Sequence, residues 1–262
     1  MKKLSKIRLD SLLLQRGLAA DLKRARTLIL SGAVLVDDQI TDKAGTLFPE
    51  DVDLRIKGDA NPYVSRGGIK LNGALQSFGF CVRDLVAIDV GASTGGFTDC
   101  LLQAGARKVY AVDVGYGQLA WKLRQDPRVV PIERTNIRHY DGAGIVDAID
   151  MAVIDASFIS LRLVIPPVVG LVKNGAALLC LVKPQFEVAR GEVGEKGVVR
   201  DPLLHERTLE KIATFCRGIG LEVLGRCDSP ITGPAGNREF FLYLRKGLRR
   251  LPLLTKDIKQ WA

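Results

Sequence analysis

The segment Asp89-Val-Gly-Ala-Ser-Thr-Gly-Gly-Phe-Thr-Asp99 follows the apolar run Leu85-Val86-Ala87-Ile88. Glycines crowded after such a run mark a strand that turns sharply into a helix, and without a Cβ they let the backbone approach a ligand closely. Twenty-four residues after Asp89, a second apolar run (Val109-Tyr110-Ala111-Val112) ends in Asp113. An acid at the end of the second strand of such a unit is placed to accept hydrogen bonds from the two hydroxyls of a ribose. The pattern points to a nucleoside-containing cofactor, with Asp89, Gly91, Ser93, Thr94, Gly95, Gly96, Phe97 and Asp113 as candidate binding residues.

Several readings compete for this turn. A dinucleotide site would want Gly-x-Gly-x-x-Gly, but here Asp89 sits inside the turn, where its charge repels a pyrophosphate. Taken literally, Gly91-Ala92-Ser93-Thr94-Gly95 matches the nucleophile elbow of α/β-hydrolases, and Asp155 and His205 follow in the matching order. No His-Gly-Gly segment precedes it, however, and the only histidines are His139 and His205. The plainest reading is a glycine turn that merely joins strand to helix. An acid within the turn best suits a cofactor whose near end is cationic, such as the amino group and sulfonium of S-adenosylmethionine.

Further apolar runs at 129–132, 149–154 and 176–182 alternate with helical stretches, which predicts an open parallel sheet. Ligands bind outside the carboxyl ends of such strands. Asp89, Asp113, Asp155 and Lys183 all fall at strand ends and so share one rim. Lys70 begins the helix that feeds the sheet, and Glu239 opens the last strand. A lysine and an acid on adjacent strand ends can be a purely structural ion pair. Two of each on one rim would instead tune one another, because a neighbouring cation and burial make a lysine easier to deprotonate. Methylation of a ribose hydroxyl needs such a group, since the hydroxyl must lose its proton while facing the methyl carbon in line. A base methyltransferase would show an Asn-Pro-Pro-Tyr-type motif or a catalytic Cys, and neither occurs.

The elements that must position these groups fall into two modules. The chain has 262 residues, 47% hydrophobic and 6% aromatic, enough for one large core and a smaller companion. The net charge of +9 favours a polyanionic partner. The five scattered cysteines (Cys81, Cys100, Cys180, Cys216, Cys227) look like small core residues of a reducing compartment, and no metal-ligand spacing is present. The apolar start, Leu12-Leu13-Leu14, is too short for a signal peptide. The stretch Leu163–Val182, interrupted by Pro166-Pro167 and Lys173-Asn174-Gly175, reads as a buried helix and strand and not as a membrane span. A cytoplasmic protein is expected.

The first module, residues 1–60, predicts helices over 7–16 and 22–31, then strands near 33–36 and 52–56. Residues 1–26 carry eight Lys or Arg against Asp10 and Asp21, whereas 27–60 are acidic. A basic helix pair beside an acidic hairpin is an electrostatic footprint for a phosphate backbone. A polar joint (61–70) leads to a second module, 71–262. Six basic residues from Arg245 onward form a tail that either adds to the RNA surface or aids solubility.

Ile7-Arg8-Leu9-Asp10, Arg16-Gly17-Leu18, Arg24-Ala25-Arg26 and Leu30-Ser31-Gly32-Ala33-Val34-Leu35-Val36 resemble the S-four-type (αL) RNA-binding domain. That resemblance implies RNA contacts at Lys23, Arg24 and Arg26, with Lys23 standing where the family usually has Ser. This pairs with Tyr63-Val-Ser-Arg-Gly-Gly-Ile-Lys-Leu71, Asp155-Ala-Ser-Phe-Ile-Ser160, Lys183-Pro-Gln-Phe-Glu187 and Asn237-Arg-Glu-Phe-Phe241. Together they resemble the TlyA family of ribosomal RNA 2′-O-methyltransferases, also labelled hemolysin A, whose catalytic domain is FtsJ-like. The resemblance implies an α/β, Rossmann-like methyltransferase sheet behind a small α+β RNA-binding domain. It also implies S-adenosylmethionine as cofactor, a catalytic tetrad of Lys70, Asp155, Lys183 and Glu239, and cytidines of rRNA in ribosomal subunits as substrates. The hemolysin label suggests a membrane-lytic protein instead, but no span, lytic helix or export signal supports it.

Overall fold

A computed structural model describes residues 6–37, 39–56, 61–233 and 235–247. Lys2, Lys3 and the tail residues Arg249, Arg250, Lys256 and Lys259 lie outside the described residues. The chain forms two compact units, 1–61 and 62–262.

In the smaller unit, β1 (Lys6–Arg8) runs straight into α1 (Leu9–Gln15), followed by α2 (Leu22–Leu30). The helix expected from Ile7 starts two residues late because Lys6–Arg8 pair with β4 (Leu47–Pro49), a strand the apolar pattern did not announce. Asp21 caps α2 by accepting from the Arg24 N–H, and Gly17 and Gly32 follow the two helices as chain stops. Between β2 (Val34–Val36) and β4 lies the short β3 (Gln39–Ile40); with β5 (Leu54–Ile56), β2 and β3 form an antiparallel sheet. Leu9, Leu12, Leu13, Ala25, Ile29 and Val34 close the core between helices and strands.

The larger unit begins with α3 (Arg66–Phe78). It starts at Arg66, not at Lys70, so the expected joint is partly helix. Ser65 accepts from the Gly67 N–H as N-cap, and the Val64 N–H donates to Asp99, which fixes the approach. Then come β6 (Val86–Val90), α4 (Gly96–Gln103), β7 (Lys108–Val112), α5 (Trp121–Arg124), β8 (Val129–Ile132), β9 (Ile149–Ile154), α6 (Leu161–Leu171), β10 (Val172–Val182), α7 (Pro202–Gly218), β11 (Leu221–Asp228) and β12 (Phe240–Lys246). The sheet order is β11-β12-β10-β9-β6-β7-β8. It is parallel from β8 to β10, and β12 runs antiparallel to both its neighbours. One core packs α6 and α7 on one face, and a second packs α3 and α4 on the other. Covered on both faces, β6 and β9 are almost wholly buried, which is why they read as unbroken apolar runs.

Two features of this sheet place the site. The strand order reverses between β6 and β9, and the crevice at such a switch point is where parallel sheets take ligands. The start of α3 also lies against the start of α4. A Cβ on Gly96 would fall 2.1 Å from Ser65 Oγ and 3.0 Å from the Gly68 nitrogen, so only glycine permits the approach. Gly96→Ala is therefore expected to lower stability by about 1–3 kcal/mol. Urea unfolding measures this, and an unchanged midpoint would contradict the packing described.

Candidate active site

Each polar group on the rim is delivered by a different element. Lys183 follows the last residue of β10, only 8% exposed, and its Nζ lies 2.6 Å from Asp155 Oδ1 and donates to Ser157 Oγ at 2.7 Å. Asp155 directly follows β9, the parallel neighbour of β10. On the other side of β10, Val182 pairs with Phe240, and one step further along this antiparallel register Lys183 faces Glu239. Glu239 is buried and bonds to Lys70 Nζ at 2.6 Å; Lys70, 7% exposed, comes from the second turn of α3. The Arg66 side chain, donating to the Thr232 carbonyl at 2.9 Å, ties that helix to the loop before Glu239.

The four groups predicted to share a rim thus form two ion pairs. Each ammonium has its own carboxylate, a tighter division than the four-way tuning expected from the sequence. The division follows from burial, since an unpaired charge this sheltered would be strongly destabilising. The result is a lysine held at both Asp155 and Ser157, pinned in direction as well as position.

Next to the pairs, the glycine turn forms a cradle. Gly91 has φ +84°, and a Cβ there would sit 2.5 Å from the Asp155 carbonyl oxygen, so the turn and the Asp155 loop touch through bare backbone. Asp113 accepts from the Ser93 N–H and the Gly115 N–H, both at 2.7 Å, and the Thr94 carbonyl accepts from Ala120. Asp113 therefore braces the turn as well as offering an acceptor to a ligand. Gly95 caps α4. Phe97, expected to face a cofactor, instead turns its ring into the core against Phe241, 6.0 Å between centroids. At the start of an amphipathic helix its apolar side chain follows the buried stripe, leaving only backbone for a ligand.

Asp89 shows what the cradle would hold. It is fully buried; Oδ2 accepts from the Thr98 hydroxyl at 2.7 Å, while Oδ1 has no partner among the described residues. Burial pushes its carboxyl up to about 7; the Thr98 hydroxyl opposes this, and Asp155 and Asp113 add repulsion. Three acids around one turn disfavour a pyrophosphate and favour a cation, and an orphaned carboxylate oxygen is the acceptor a cationic amino group would satisfy. The residues present therefore fit S-adenosylmethionine.

The hydrolase alternative fails on geometry. His205 lies buried on α7, its Nε2 donating to the Val199 carbonyl at 2.8 Å and its ring against Phe240, while Asp155 is held by Lys183.

Two features escaped the sequence reading. Ser157 was quoted only as part of a motif, yet it accepts from Lys183. Phe158 is 90% exposed with φ +62°, its ring 4.9 Å from Phe186, which itself lies near Lys183. A bulky residue in the left-handed region, displayed to solvent, is a strain that surrounding structure must impose. No periodicity reports a backbone angle.

Because the Asp89 carboxyl is raised above its unfolded value, the folded state holds a proton that the unfolded state has released between about pH 4 and pH 7. The Asp89 contribution to stability should therefore fall as pH rises through that window and level off above it. Asp89→Asn is expected to remove that contribution and leave the part due to other groups, such as buried Glu187, whose carboxyl burial also raises. Melting temperatures from pH 4 to 8 test this, and a wild-type-minus-variant difference that is constant with pH would contradict it.

A family model described as FtsJ-like methyltransferase matches residues 63–246, which take in the whole seven-stranded sheet. YqxC of Bacillus subtilis, whose name proposes an rRNA methyltransferase, is 50% identical over 240 residues, 91% of this chain and 85% of its own. The 16S/23S rRNA (cytidine-2′-O)-methyltransferase TlyA of Mycobacterium tuberculosis is 46% identical over 239 residues, 91% of this chain and 89% of its own. A solved structure from Streptococcus thermophilus that carries a hemolysin label is 41% identical, covers 98% of this chain and 94% of its own, and superposes with a TM-score of 0.73. Likeness of this extent, on a sheet whose switch point holds the cradle, has one reading: the chain belongs to the FtsJ-like methyltransferase family, alongside the TlyA proteins.

Proposed function

We propose that the protein transfers a methyl group from S-adenosylmethionine to the 2′-hydroxyl of a cytidine in ribosomal RNA, working in the cytoplasm on ribosomal subunits. The observation that carries this reading is the buried Lys183, held by Asp155 and Ser157 beside an acid-rich glycine cradle. The cytidine and the rRNA come from the named activity of the Mycobacterium tuberculosis relative. No helix among the described residues is long and apolar enough to cross a membrane.

When bound, S-adenosylmethionine supplies an electrophilic methyl on a sulfonium. The Asp89 oxygen would accept from its amino group, and Asp113, already fixed by two backbone N–H groups, would accept from its ribose hydroxyls. A ribose 2′-hydroxyl is a weak nucleophile and must shed its proton as the new bond to carbon forms. Lys183 Nζ, once its own ammonium proton has passed to Asp155 or to solvent, is the neutral amine that would receive that proton, directed by Asp155 and Ser157. Lys70 and Glu239 form the adjoining buried ion pair. Phe158 offers an exposed ring face beside Lys183 on which a nucleobase can stack, a contact typically worth about 1–3 kcal/mol.

Lys183→Ala is expected to lower turnover by roughly 10²–10⁴-fold with S-adenosylmethionine affinity unchanged. Lys183→Arg should not rescue it, because a guanidinium keeps its proton. Transfer of labelled methyl to isolated ribosomal subunits, with calorimetry for the cofactor, tests both; near-normal turnover of Lys183→Arg would overturn the proton-accepting role. Phe158→Ala should raise the KM for RNA about tenfold or more while leaving cofactor affinity alone. An unchanged KM would remove the stacking role.

A further inference from the structure

Asp10 entered the sequence reading only as a charge set against the basic residues of the smaller unit. Its surroundings give it another part. The carboxylate is 1% exposed in the first turn of α1 and is gripped from three elements. From β1, Arg8 binds it bidentately through one edge, Nε to Oδ1 at 3.0 Å and an η-nitrogen to Oδ2 at 2.9 Å. From α2, Arg26 donates its Nε to Oδ2 at 3.1 Å. The Ser11 N–H donates to Oδ1 at 3.0 Å. The Arg8 hydrogen bonds hold the carboxyl down to about 2, so it stays ionised at any working pH. Both arginine side chains nevertheless remain half-exposed.

This is not a neutralised pair. Two guanidinium groups share one carboxylate, which leaves one positive charge in excess. Each is pinned by its Nε edge, and among the described hydrogen bonds Arg26 commits nothing else. Its terminal N–H donors are free to meet a ligand in a fixed direction. Fixed, forked donors with surplus positive charge complement a phosphate diester, which arginine binds bidentately. By contrast, Lys23 and Arg24 are exposed with no ion pair among the described residues, so they attract an anion without directing it.

We propose that Arg8, Asp10 and Arg26 form a phosphate clamp for RNA, in which Asp10, although negative, strengthens RNA binding by aiming two arginines. The proposal rests on the reading of RNA as the substrate. It assigns Arg8 a contact and makes Asp10 a positioning residue that touches no RNA itself.

The clamp makes an expectation opposite in sign to simple charge attraction. Asp10→Asn makes the full-length protein more positive by one, so unspecific attraction alone would tighten RNA binding. The clamp instead expects binding about 3–10-fold weaker, with a shallower dependence of affinity on salt, since fewer phosphates are engaged. The probe is a labelled rRNA fragment titrated at several salt concentrations, with S-adenosylmethionine affinity expected to be unchanged. Should Asp10→Asn prove unfolded by circular dichroism, Arg8→Lys and Arg26→Lys keep every charge and lose only the fork. They are expected to weaken RNA binding as well. Binding by the folded variants equal to or tighter than wild type would overturn the clamp. Wild type that binds the RNA through the clamp but methylates none of it would overturn the proposed reaction and leave the clamp standing.

Discussion

The contact between Lys183 and Asp155 is the constraint around which the catalytic unit is arranged. A lysine this buried at the end of a strand is tolerable only with a carboxylate against it, and the carboxylate must arrive on the neighbouring strand in the right register. That requirement fixes where β9 ends relative to β10. A second buried lysine, Lys70, imposes the same demand on β12, whose antiparallel register sets Glu239 opposite Lys183's own strand end. The sheet is thus not only a scaffold beneath the site. Its strand order and register are what allow two ammonium groups to be sheltered side by side.

The glycine turn is bound to that arrangement through backbone. Gly91 lies against the Asp155 carbonyl and Gly96 against the start of the helix that carries Lys70, so the cradle is packed directly against the elements that carry both ion pairs. A methyl donor and a ribose hydroxyl must meet in line at closely set distance, and this close packing suits that demand. In the proposed reading, the cluster of Asp89, Asp113 and Asp155 selects the cofactor. Its charge would repel a phosphate-bearing ligand and attract a cationic one, which separates this cradle from otherwise similar dinucleotide turns.

Much of this was legible in the sequence, for physical reasons that differ by element. Strands buried on both faces, such as 109–112 and 149–154, show themselves as apolar runs, and helix α2 shows itself through Asp21 and Gly32. Residues at strand ends could be placed on one rim from topology alone. Pairing could not, because which lysine meets which acid depends on register between strands far apart in the chain. The start of α3 was misplaced because Gly67-Gly68 argues against a helix, and only the Ser65 cap and the close contact with α4 outweigh it. Phe97 was assigned to the cofactor from its place in the motif, whereas its side chain obeys the buried face of its helix. Asp10 was read by its sign, when its geometry is what matters.

The central claim, that this site methylates a ribose hydroxyl and not a base, is tested most directly by where the methyl group lands. Purified small and large ribosomal subunits would be incubated with the protein and isotopically labelled S-adenosylmethionine, and the rRNA digested with alkali. A 2′-O-methyl group blocks cleavage at its own nucleotide, so the label should appear in alkali-resistant dinucleotides that begin with cytidine. Label recovered in mononucleotides, which places the methyl on a base, would contradict the role given to Lys183, and so would its absence from rRNA when calorimetry shows the cofactor bound.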